Sequence, residues 1–97
     1  MTESVYLWHG VVVRVSGHRV AVTFLSNPEV DGQPVRVELV VVAPGGVERD
    51  VTLGIGGEFH AGPDVWRVAE VEYLGDFDYA VRLDHVGTEI QLSHDGV

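Results

Sequence analysis

The sequence predicts an all-β chain: a single antiparallel β-sandwich or a small, strongly curved β-barrel of about seven strands, with no substantial helix. Three observations carry that expectation. Apolar residues recur with a period of two, which puts them on one face of a strand. Turn signals interrupt the pattern about every ten residues. No segment shows a helical period of convincing length, and there is no internal repeat or low-complexity tract.

The elements follow in order. In "HGVVVRVSGHRVAVTFLS", Val11, Val13 and Val15 share a face, Gly17-His18 offers a two-residue turn, and Val20, Val22 and Phe24 return on that face. Pairing Val15 with Val20 sets Arg14 opposite Ala21, whereas a turn one step earlier at Ser16-Gly17 sets Arg14 against Arg19. Like-charge repulsion favours the first register. After the turn-rich "NPEVDGQP", the segment "VRVELVVVA" aligns Val35, Val37, Leu39, Val41 and Ala43. Pro44, Gly45 and Gly46 then make a loop, and "VERDVTL" returns with Val47, Val51 and Leu53 on the same face.

"GIGG" breaks the pattern before the most crowded stretch, "GGEFHAGPDVWRV". A turn from Ala61 to Asp64, with Pro63 presetting the backbone, places Phe59 opposite Trp66 and Glu58 opposite Arg67. That is a hairpin held by an aromatic pair inside and an ion pair outside, with His60 pointing outward. Strands at about 65–74 and 79–86 follow, separated by "GDFD", with a weaker last strand near "EIQL". Near Ala69 and Glu70 the inward parity slips from Trp66 and Val68 to Val71 and Tyr73, which predicts a β-bulge. Val13, Val22, Leu39, Val51, Phe59, Trp66, Val68 and Leu83 are the expected core.

Ninety-seven residues make one domain over 1–97, with 1–4 and 93–97 frayed. Fifteen acids against six basic residues, all arginine, give a formal charge of -9. A nucleic-acid binder needs a cationic stripe to displace counterions, and arginines scattered from Arg14 to Arg82 do not supply one. The same charge repels anionic membranes, steers basic partners and keeps a valine-rich β protein in solution. No cysteine is present, so disulfides, thiolate zinc sites and cysteine nucleophiles are excluded. "MTESVYLWHG" carries no basic residue and no long apolar run, so a cytoplasmic protein is expected.

Catalytic signals are sparse, and the sequence leans away from an enzyme. The five histidines stand singly, with no metal-ligand spacing, and neither metal nor cofactor is expected. Asp76 and Asp78 lack the further ligands of a calcium loop, and no serine lies in a nucleophile-elbow motif. Tyr73, Tyr79 and His85 are the polar groups that a hollow core would gather into a pocket.

The strongest functional signal is apolar residues where alternation calls for polar ones. Trp8, Val12, Leu25, Val40 and Val42 take outward positions, and together they would form a patch of the kind that marks an interface. The first expectation is therefore a non-catalytic binding or accessory module that uses an apolar sheet face for self-association or for docking one protein partner. Self-association would give a two-fold dimer. A small acidic immunity or inhibitor protein against a basic effector stands as the alternative, and a small β-barrel enzyme or cyclase acting on a hydrophobic substrate as a further one. The expectation of no metal has a direct check: elemental analysis of untagged protein after gel filtration should find no stoichiometric zinc, copper or iron, and finding one would show that the dispersed histidines converge.

Overall fold

The computed structural model describes residues 3–26, 28, 32–75 and 78–88. Within them the chain forms eight strands: β1 (Ser4–Trp8), β2 (Val13–Val15), β3 (His18–Leu25), β4 (Val37–Val42), β5 (Glu48–Leu53), β6 (Glu58–Ala61), β7 (Asp64–Tyr73) and β8 (Tyr79–Thr88). They make two four-stranded antiparallel sheets, sheet I in the order β1-β8-β7-β6 and sheet II in the order β2-β3-β4-β5. Within each sheet the strands that follow one another in sequence are neighbours, and β8 returns to pair with β1. The chain crosses between the sheets from β1 to β2 and from β5 to β6, giving a small, barrel-like β-sandwich.

Both sheets contribute to one core. Leu7, Phe59, Ala61, Trp66, Val68, Val81 and Leu83 come from sheet I, and Val15, Val20, Val37, Leu39 and Val41 from sheet II. Of the expected core, Leu39, Phe59, Trp66, Val68 and Leu83 are buried, while Val13, Val22 and Val51 are partly buried against it. Side-chain hydrogen bonds fasten the sheets to each other. Trp66 Nε1 donates to Ser16 Oγ at 3.1 Å. The Tyr73 hydroxyl donates to the Ser26 carbonyl at 2.7 Å, and the buried Ser26 hydroxyl accepts from Arg36 N–H at 2.7 Å.

The second and third hairpins match the sequence expectation. Val37 pairs with Leu53 and Leu39 with Val51, and the Pro44–Gly46 loop closes with Gly46 N–H on the Ala43 carbonyl at 2.8 Å. Glu58 pairs with Arg67 and Phe59 with Trp66. The slip of parity at Ala69 is a bulge: Val68 pairs with Leu83, but Glu70 pairs with Arg82.

Other expectations are corrected. The first hairpin turns at Ser16-Gly17, not Gly17-His18, so Val15 pairs with His18 and Arg14 faces Arg19. Both turn residues have positive φ, 49° and 78°, the conformation of a tight type I′ turn that follows strand twist. A serine is strained there, and the bonds Ser16 receives from Trp66 Nε1–H and His18 Nδ1–H offset that strain. The arginines are both exposed, where water weakens their repulsion.

Two further register shifts were not anticipated: Val65 pairs with Gly87 but Trp66 with His85, and at Thr23 Val22 pairs with Leu39 but Phe24 pairs with Glu38. The shift at Thr23 reverses parity at the end of β3. Leu25, expected outside, packs against the core, and Phe24, expected inside, is 43% exposed beneath the Arg36 guanidinium, 5.1 Å from its ring centroid. Strand β1 was also not anticipated. It begins at Ser4, which pairs with Asp84, and the Glu3 carbonyl accepts from His85 N–H at 2.8 Å. Asp76, "EIQL" and 93–97 lie outside the described residues. The reversal at Thr23 predicts opposite sensitivities: in urea unfolding Leu25→Ala should cost about 2 kcal/mol and Phe24→Ala less than about 1 kcal/mol, and the reverse ranking would place the bulge elsewhere.

Candidate functional site

The residues expected to form a pocket do not converge. Tyr73 and Tyr79 pair across β7 and β8 at one end of sheet I, whereas His85 pairs with Trp66, six residues along β8 from Tyr79. Tyr79 packs edge-on against His9 with ring centroids 5.5 Å apart, and burial pushes its hydroxyl pKa up. His85 meets the Trp66 ring edge-on, centroids 5.1 Å apart.

Around His85 lies a polar cluster that sequence reasoning missed. Asp64 accepts from His85 Nε2 at 3.1 Å and from the Thr88 hydroxyl at 2.7 Å, and it also accepts from the Ser16 hydroxyl. The bonds from Ser16, Thr88 and His85, in that order of weight, push its carboxyl down from 3.8 to about 2. Serine, aspartate and histidine are therefore in contact, but with the carboxylate in the middle. Nucleophilic catalysis needs a base on the hydroxyl, with the acid behind the base. This cluster instead ties the β2–β3 turn to β7 and β8. No signal in the sequence joined Ser16 to Asp64, because they meet only through the packing of one sheet on the other. Among the described residues no group of three histidines or acids could hold a metal ion.

The expected apolar patch is divided by the fold. Trp8 lies on sheet I, outward beside Tyr6, with ring centroids 6.3 Å apart, and Leu25 points into the core. Val12, Val40 and Val42 do come together. With Arg19, Ala21, Gly46 and Glu48 they line a shallow depression of about 320 Å³ on the outer face of sheet II.

Cross-strand register organises that face into rows. Arg14, Arg19, Val42 and Glu48 form one row, and Ala21, Val40 and Asp50 the next. Arginines stand on the β2–β3 side, valines in the middle and acids on β5. Once the register of the first hairpin is corrected, the same alternation that singled out Val40 and Val42 also assigns Arg14, Arg19, Glu48 and Asp50 to this face.

The outer face of sheet I is organised differently. Arg67 pairs with Glu58 at 3.2 Å, and Arg82 with Glu70 at 3.0 Å and Asp84 at 3.1 Å. Asp84 is held below its ordinary pKa, first by the Ser4 hydroxyl and then by Arg82, and Arg82 is raised chiefly by Asp84. On sheet II, Arg36 pairs with Glu38 at 3.3 Å, and Arg49 donates to the His60 carbonyl across the gap between β5 and β6. Among the described residues, Arg14 and Arg19 are the arginines without an acidic or carbonyl partner on the chain.

The chain belongs to a family of unknown function, DUF6406, whose profile matches residues 2–87. No curated protein and no solved structure matches it. Among the described residues no helix is long and apolar enough to cross a membrane.

The Asp64 cluster generates a pH prediction. A carboxyl lowered in the folded state from 3.8 to about 2 stabilises the fold fully above the higher value, and loses that contribution as pH falls toward the lower. From about pH 4 down to pH 2 the urea midpoint of the wild type should therefore fall more steeply than that of Asp64→Asn. Equal slopes would show that Asp64 is not the group that titrates.

Proposed function

We propose that this chain is a non-catalytic docking module that works through the outer face of sheet II. The observation that carries the reading is the contrast between the two outer faces. On sheet I the arginines Arg67 and Arg82 have acids of the same chain beside them. On sheet II, Arg14 and Arg19 flank an apolar stripe of Val12, Val40 and Val42 and have no such partner among the described residues. A strand that faces water carries polar side chains outward, and outward valines imply a covering layer. Val12, 61% exposed, has none among the described residues. Apolar area ringed by charge is the usual anatomy of a protein–protein interface, with affinity from the centre and orientation from the rim.

The compartment we propose with this function is the cytoplasm, where a net charge of -9 keeps a valine-rich chain dispersed. A photoreactive phenylalanine analogue tests the face directly. Placed at position 42 it should give a discrete light-dependent adduct in cells, whereas the same residue at Glu72, on the outer face of sheet I, should not. Val40→Glu should abolish the adduct without lowering the amount of folded protein. No adduct from position 42, or equal adducts from both positions, would overturn the reading.

A further inference from the structure

Charge on this face identifies what covers it. We propose that the occupant is a second copy of this chain, stacked face to face about a two-fold axis that runs along the strands, so that the β2–β3 side of each copy, with Arg14 and Arg19, lies over the β4–β5 side of the other, with Glu48 and Asp50. The inference rests on the docking function above and specifies its partner.

The geometry follows from the row pattern. Arg14, Arg19, Val42 and Glu48 lie side by side across four strands, with positive charge at one end of the row and negative charge at the other. A two-fold axis parallel to the strands and lying in the interface keeps each row at its own level and reverses its direction. With the axis between β3 and β4, Arg14 of one row lies over Glu48 of the same row in the second copy, Arg19 lies over Val42 and Val40 lies over Ala21. An axis across the strands would stack Arg14 and Arg19 on themselves and the acids on themselves, which repulsion disfavours. Only the first arrangement joins opposite charges, and each contact is made twice.

Net charge points to the same occupant. Two chains of -9 repel at every orientation that brings their acidic surfaces together. The rows on sheet II hold two arginines and two acids, so this face offers two copies an approach without local repulsion. A basic effector would find only half of the face complementary, since Arg14 and Arg19 oppose it. Face-to-face sheets pack about 10 Å apart, a gap that two layers of valine and alanine fill and that longer arginine side chains bridge at the rim.

Charge reversal tests the partner and the axis together. By sedimentation, the wild-type chain should be a dimer at micromolar concentration. Arg14→Glu with Arg19→Glu makes the face wholly acidic, Glu48→Arg with Asp50→Arg makes it wholly basic, and each double variant should weaken self-association at least tenfold. Mixed in equal amounts, the two should recover a heterodimer. The fourfold variant should dimerise with itself but not with the wild type. All four positions are exposed, and an unchanged thermal midpoint in each variant confirms that the fold survives. A wild type that stays monomeric at high concentration would overturn the second copy, as would double variants that dimerise like the wild type or that stay apart when mixed. An adduct at position 42 with the mass of one chain plus a different protein would overturn the second copy yet leave the docking face in place, whereas no adduct would remove both.

Discussion

The hydrogen bond from Trp66 to Ser16 is the contact on which the rest of the arrangement depends. The indole is 2% exposed and is the largest buried side chain among the described residues, and its one polar atom needs a partner once buried. It finds one in the turn of the opposite sheet, and in doing so holds a serine at a positive φ. The tight Ser16-Gly17 turn sets the register of β2 on β3, and that register places Arg14 beside Arg19. A core contact thus decides the charge pattern on the far side of sheet II. His85 against the indole and Asp64 behind His85 extend the same anchor to the end of β8.

What was legible in the sequence was local. The pairings of Phe59 with Trp66 and of Leu39 with Val51 could be read because a tight loop of turn-forming residues joins each pair of strands, and parity does the rest. The bulge at Ala69 left a trace, since a run of inward residues changes phase there. The bulge at Thr23 left none, because Phe24 and Leu25 are both apolar and either suits the inner face. Reading Ser16-Gly17 needed knowledge of Trp66, fifty positions away. The Asp64 cluster was hidden for the same reason, as its members come from three separate hairpins.

The proposed docking face was half legible. Val40 and Val42 stood out as valines where polar residues belong, and Val12 joined them. Trp8 and Leu25 were grouped with them by parity alone, which cannot say on which sheet a strand lies or where a bulge reverses it. The charges that give the face its direction were visible as letters, but the register that aligns them into rows was not. Comparing the two sheets adds what neither shows alone: Arg67 and Arg82 of sheet I are met by acids of the chain, while Arg14 and Arg19 of sheet II have no such partner among the described residues.

Four strands lie at sheet edges: β1 and β6 in sheet I, β2 and β5 in sheet II. Bare edges of valine-rich sheets are templates for endless growth by strand addition, the route to amyloid. The edges here are poor templates. Strand β2 has three residues and β6 four, and β5 opens with Glu48, Arg49 and Asp50. Arg49 is on the inward parity opposite Val41 yet reaches the His60 carbonyl, so a charge sits where an incoming strand would need an apolar side chain. Contacts made through the broad face of such a sheet close on themselves, while contacts through its rim propagate. By blunting the rim and leaving the face open, the chain can be sticky without forming fibres.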